Sequence, residues 1–174
     1  HPRSTPDSLL YTIQNYDEPD GLQGKEFNER AACRTEDGEL IFGGAQGFNI
    51  FRPQDININR RIPPIVFTGL ELYNTPVKVN EKINGRVLLK RSIAETDEIV
   101  LKSGEKMFSL EFAALDYFQP GKNRYKYRLE GFNNYWMESD ASLRKATYTN
   151  LSPGSYIFRV IASNNDGTWN ETGA

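Results

Sequence analysis

Leu151-Ser152-Pro153-Gly154-Ser155-Tyr156-Ile157-Phe158-Arg159-Val160-Ile161-Ala162 is the stretch on which the reading of the fold turns. Tyr156, Phe158, Val160 and Ala162 fall on one face at a period of two, and Ile157, Arg159, Ile161 and Ser163 fall on the other. Strict alternation in β-branched and aromatic residues predicts a half-buried strand. The Pro153-Gly154 pair before it predicts a turn, because Pro fixes φ and Gly accepts positive φ. After it, Asn164-Asn165-Asp166-Gly167 predicts a second turn. Trp169 to Ala174 looks too short and polar to add a core strand.

A Leu, a Pro-Gly turn and a Tyr that opens a strand resemble the tyrosine corner of immunoglobulin-like and fibronectin type III sandwiches. In that corner the Tyr156 hydroxyl bonds back to the backbone just upstream. Working outward, "IVFTGLELY" (65–73) and "KMFSLEFAAL" (106–115) read as strands, the second with Phe108, Leu110, Phe112 and Ala114 on one face. "RVLLKRSI" (86–93) and "EIVLKS" (98–103) read as shorter strands around an "AETD" turn. In "GKNRYKYRLEG" (121–131), Tyr125, Tyr127 and Leu129 alternate with Lys122, Arg124, Lys126 and Arg128. "RKATYTNL" (144–151) completes a set of short strands at sandwich-like spacing.

The N-terminal part has a different rhythm. "SLLYTIQNY" (8–16) reads as a strand, and Glu36-Asp37-Gly38 is a hairpin signal between "EFNERAACRT" and "ELIFGG". "AQGFNIFRP" (45–53) adds another strand. This amounts to about one four-stranded propeller blade, a unit that relies on stacked neighbours to bury its faces. "QDININRRIPPI", with its Pro63-Pro64 pair, marks the junction. The expected organisation is all-β: residues 1–59 form a partial terminal blade (1–6 a ragged start), and 60–174 form an immunoglobulin/fibronectin-III-like sandwich lacking its last strand.

Composition narrows the chemistry. The chain has 174 residues, of which 10 are Phe and 9 Tyr, supporting a β-rich core. A net charge of −2 gives no electrostatic case for nucleic acid. The only His is residue 1 and the only Cys is Cys33, so a Ser-His-Asp or Cys-His site and a Cys/His zinc site lack their residues. No catalytic, cofactor-binding or metal residue is assigned. "SNNDGTWNE" misses the spacing of a calcium loop, and "FGGAQGF" lies between strands rather than at a helix N-terminus.

"YKYRLEGFNNYW" (125–136) and "ATYTNLSPGSYIFRVIASNNDGTW" (146–169) resemble the Y_Y_Y domain of bacterial hybrid two-component sensors. "DGLQGKEFNERAACRTEDGELIFGGAQGFNIFRP" (20–53) resembles the last repeat of the propeller that precedes it. The resemblance implies a membrane-proximal module of a periplasmic glycan sensor in an inner-membrane receptor. It would couple rearrangement and dimerisation to a transmembrane histidine kinase, with no enzymatic activity of its own. It implies that oligosaccharide binds in propeller domains outside this sequence, that the partner is a second copy of the receptor, and that the membrane is adjacent but not entered. Tyr127, Tyr148 and Tyr156 match the naming tyrosines. Pro153 and Gly154 match the corner, and Trp136 and Trp169 match core-plugging and strand-covering positions.

Two features are read both ways. Trp136 with Tyr135 has the ingredients of a sugar-stacking platform, so a stand-alone carbohydrate-binding or adhesion module is the alternative function. The Lys122, Arg124, Lys126, Arg128 stripe is a solvated strand face or, as a candidate interface, a surface for an acidic partner.

Overall fold

A computed structural model describes residues 13–174. The described chain divides between Ile58 and Asn59 into two compact units, each built from antiparallel strands. Among the described residues the helices are four single 3-10 turns.

The first unit holds one three-stranded sheet: β1 (Ala32–Arg34), β2 (Leu40–Gly44) and β3 (Gly47–Phe51) in that order. The Asp37-Gly38 turn joins β1 to β2, with the Gly38 N–H donating to the Thr35 carbonyl at 3.0 Å. Phe42 stacks on Phe51 and meets Phe27 edge-on, at 5.9 and 6.0 Å between ring centroids. None of the described apolar side chains of this unit is fully buried. The strand expected over 8–16 falls partly on 8–12, outside the described residues; 13–16 carry no strand.

The second unit is a sandwich. One sheet has the order β11-β8-β4-β5, from β4 (Ile65–Leu72), β5 (Thr75–Pro76), β8 (Met107–Ala114) and β11 (Lys145–Thr149). The other has the order β10-β9-β12-β13, from β9 (Arg124–Glu130), β10 (Met137–Asp140), β12 (Ile157–Ser163) and β13 (Trp169–Asn170). A small hairpin, β6 (Lys82–Ile83) and β7 (Arg86–Val87), turns through Asn84-Gly85, both at positive φ. Asn-Gly is favoured there because a two-residue turn of this hand puts both residues in the left-handed region.

The core lies between the sheets. Phe112, Ala114, Ala146 and Tyr148 from one sheet meet Tyr125, Leu129, Val160 and Ala162 from the other. A second cluster gathers Leu70, Leu72 and Leu110 with Val77, Leu89 and Ile93. Truncating a fully buried aromatic such as Phe112 to Ala would cost about 3–5 kcal/mol.

Two expectations need correction. Residues 88–92 and 98–103 are not strands; the first leads into a 3-10 turn over Ile93–Glu95. They deliver Leu89 and Ile93 into the core, with Ile99 and Leu101 against it, so their hydrophobicity serves packing without a ladder. Conversely, Trp169–Asn170 does pair, with Ser163 and Ala162 of β12, and Ala174 exchanges two backbone hydrogen bonds with Val160 at 3.0 and 3.1 Å. Backbone pairing makes this edge, so its polar side chains are no obstacle.

Candidate functional site

The period-two pattern of β9 sends Tyr125, Tyr127 and Leu129 inward and Arg124, Lys126, Arg128 and Glu130 onto the outer face of its sheet. β10 and β12 flank β9, so their outward residues complete this face. Lys126 lies opposite Glu138 on β10, and Arg124 lies opposite Asp140. Lys126 pairs with Glu138 at 3.0 Å. Arg128 and Arg159 both reach Glu130 Oε1, at 2.7 and 2.8 Å. The stripe therefore has its acidic complement within its own sheet. Lys122 is not part of it; it sits in the 3-10 turn Pro120–Lys122 ahead of β9, where the alternation does not apply.

The two tryptophans frame this face. The Arg128 guanidinium lies 4.5 Å from the Trp136 ring centroid, and Lys126 Nζ lies 5.2 Å from that of Trp169. Both are cation–π contacts within the ordinary range. Trp136 does not plug the core: it belongs to neither buried cluster and is half-buried. Its neighbour Met137, which opens β10, packs on the core instead. Trp169, also half-buried, lies on β13 opposite Ser163. Tyr135 is exposed.

A cleft of about 260 Å³ opens beside Trp136, lined by Arg128, Glu130, Arg159, Val160, Ile161 and residues 171–174. It is smaller than the usual small-molecule pocket of ~300–1,000 Å³. Its two guanidiniums are already engaged by Glu130. Among the described residues, no group of three or more His, Cys, Asp or Glu could hold a metal ion.

The tyrosines play three different parts. The Tyr156 hydroxyl donates to the Ser152 carbonyl at 2.8 Å, across the Pro153-Gly154 turn. Tyr148 is buried and its hydroxyl makes no hydrogen bond; burial pushes its pKa up. Tyr127 is half-buried between Phe112 and Phe158, and desolvation raises its pKa too. Sequence reading placed Tyr125 on the face of Tyr127 and Leu129 but gave it no part of its own. It is 1% exposed, and its hydroxyl accepts from the Ala114 N–H at 3.1 Å, tying the two sheets together. Its place on the inward face of "YKYRL" was the available signal.

The Y_Y_Y domain profile matches residues 116–173. The chain is 31% identical over 159 residues to Histidine kinase P4 of Formosa agariphila, covering 91% of this chain and 11% of that protein. The extracellular domain of the hybrid two component system BT3049 from B. thetaiotaomicron superposes with a TM-score of 0.69 at 28% identity, over 91% of this chain and 20% of that one. That of the hybrid two component system BT4673 gives 0.53 at 27% identity, over 78% and 18%. The chain thus spans a small part of each relative. Among the described residues, no helix is long and apolar enough to cross a membrane.

Proposed function

We propose that this chain, whose second unit carries a Y_Y_Y domain and which resembles the non-catalytic extracellular domains of two-component sensors, acts as a coupling module. It stands in the periplasm next to the inner membrane and links rearrangement of a dimeric, glycan-sensing receptor to a histidine kinase. The observation that carries this reading is the likeness to the extracellular domain of BT3049, which runs across both units at 28% identity. Oligosaccharide binds in propeller domains outside this sequence, and the second copy contacts the outer face around Arg124, Lys126 and Arg128. In such a contact the Glu138 and Glu130 pairs exchange partners between copies, which keeps every charge matched under twofold symmetry. Ligand then shifts the population between two arrangements of the sandwiches.

The cleft beside Trp136 favours one second reading, a carbohydrate-binding module. A thermal-shift screen against a broad oligosaccharide panel separates the two. A ligand at a hundred times its Kd stabilises the fold by about 2.7 kcal/mol. The coupling reading expects no shift in this chain and a shift in a longer chain that carries the preceding propeller. A shift in this chain that Trp136→Ala abolishes, with the fold retained, overturns it.

A further inference from the structure

Residues 59–63 lead into the sandwich, and residues 164–174 run from the last turn into β13 and beyond. One buried side chain joins them. Asn164 is 1% exposed. Its Nδ2 donates to the carbonyls of Asn59 and Arg61, at 2.7 and 2.9 Å. Its Oδ1 accepts from the N–H groups of Asp166 and Thr168, at 3.0 and 2.9 Å. A primary amide has two N–H donors and two acceptor lone pairs, and all are used.

The same two segments are joined again around it. Thr168 Oγ1 donates to the Asn59 carbonyl at 3.0 Å, and the Asn59 N–H donates to Asp166 Oδ2 at 2.6 Å. Asn59 Nδ2 donates to Asn165 Oδ1 at 2.9 Å and to buried Asp116 at 3.1 Å. Asn170 Nδ2, on β13, donates to the Pro63 carbonyl at 2.9 Å. Side chains make these bonds; the two segments share no strand ladder. Neither segment can shift alone without leaving buried donors and carbonyls unpaired, which is expensive for each group.

We propose that Asn164 is the positioning residue that makes residues 59–63 and 164–174 move as one, so that a displacement arriving through the incoming segment is delivered to β13 and residues 171–174. The inference rests on the coupling reading and names its route through the sandwich. It also explains the residue type. Asp has the same shape but turns an acceptor toward two carbonyls, and Ala removes all four bonds, leaving the Asn59 carbonyl to Thr168 Oγ1 alone.

Amide hydrogen exchange on the whole 174-residue chain tests it. The amides of Asn59 and Arg61, and those of Thr168 and Ala174, should share one opening free energy and one denaturant dependence. Asn164→Asp should speed exchange in both segments together by about tenfold or more, while amides of β8 and β9 stay protected. Should that variant not fold, Thr168→Val removes one bond at the periphery, that of Oγ1 to the Asn59 carbonyl, and should speed both segments by the same factor. Acceleration confined to the segment that carries the substitution, in any folded variant, overturns the proposal. Exchange is read without ligand or partner. A failure therefore removes Asn164 as the route and leaves the coupling reading to the oligosaccharide screen.

Discussion

At the scale of single residues, the tyrosines show that one residue type with one apparent motif can do unlike things. Tyr156 closes a turn with its hydroxyl, and losing that bond in Tyr156→Phe should cost about 1 kcal/mol in denaturant unfolding. Tyr148 buries a hydroxyl with no partner, so Tyr148→Phe removes an unsatisfied group and should leave stability equal or higher. The pH response follows from the same burial. Tyr148 and Tyr127 hold their protons more tightly when folded, because desolvation disfavours the phenolate. Below the ordinary value of 10.0 both are neutral in either state, and their contribution is fully present. As pH rises through that value the unfolded chain ionises first, so stability falls. Absorbance of tyrosinate against pH should show these two ionising only as the fold is lost, and Tyr148→Phe should flatten the alkaline decline. Tyr148 was legible in the sequence as core. Its orphan hydroxyl was not, since nothing in the residue order tells where a partner fails to arrive.

At the scale of elements, legibility followed side-chain periodicity. β8, β9 and β12 alternate apolar and polar residues, and the alternation could be read directly. β10 could not: Met137 is its only inward apolar anchor, and Glu138 and Asp140 belong to the outer face. β13 was missed because its pairing is written in backbone atoms. The hairpin of β6 and β7 carried the Asn84-Gly85 signal, overlooked beside the more hydrophobic run that follows it. Of the charged stripe, Arg124, Lys126 and Arg128 share a face and Lys122 does not; their partners Glu138 and Glu130 lie on β10 and at the end of β9 itself. These are part-exposed pairs, so Lys126→Ala should change stability by less than about 1 kcal/mol. Gly173 is a stricter element-level test. Its φ is +73°, and a Cβ there would lie 2.6 Å from the Val160 carbonyl oxygen. Gly173→Ala should break the Ala174–Val160 backbone pair, at a cost of about 1–2 kcal/mol, and expose the Val160 amide to exchange.

At the scale of the whole molecule, the two units differ in what each holds for itself. The second encloses two clusters of buried side chains, with Phe112, Tyr125 and Val160 at 1% exposure or less. In the first, Phe42 with Phe27 and Phe51 forms an aromatic group that stays partly open, and Phe48 and Ile50 are exposed. Stability in a small domain is a narrow surplus of burial over chain entropy, so a sheet of three short strands with no enclosed residue has little to draw on. A chain beginning at Asn59 is therefore expected to fold and melt cooperatively, and a chain of residues 1–58 alone to show the exchange rates of an unfolded peptide. The sequence reading expected a partial blade followed by a sandwich lacking its last strand, and separate chains of the two units would test that division. Cooperative melting of 1–58 by itself would show that the aromatic group suffices as a core. Failure of 59–174 to fold would mean that its two clusters do not suffice without the first unit.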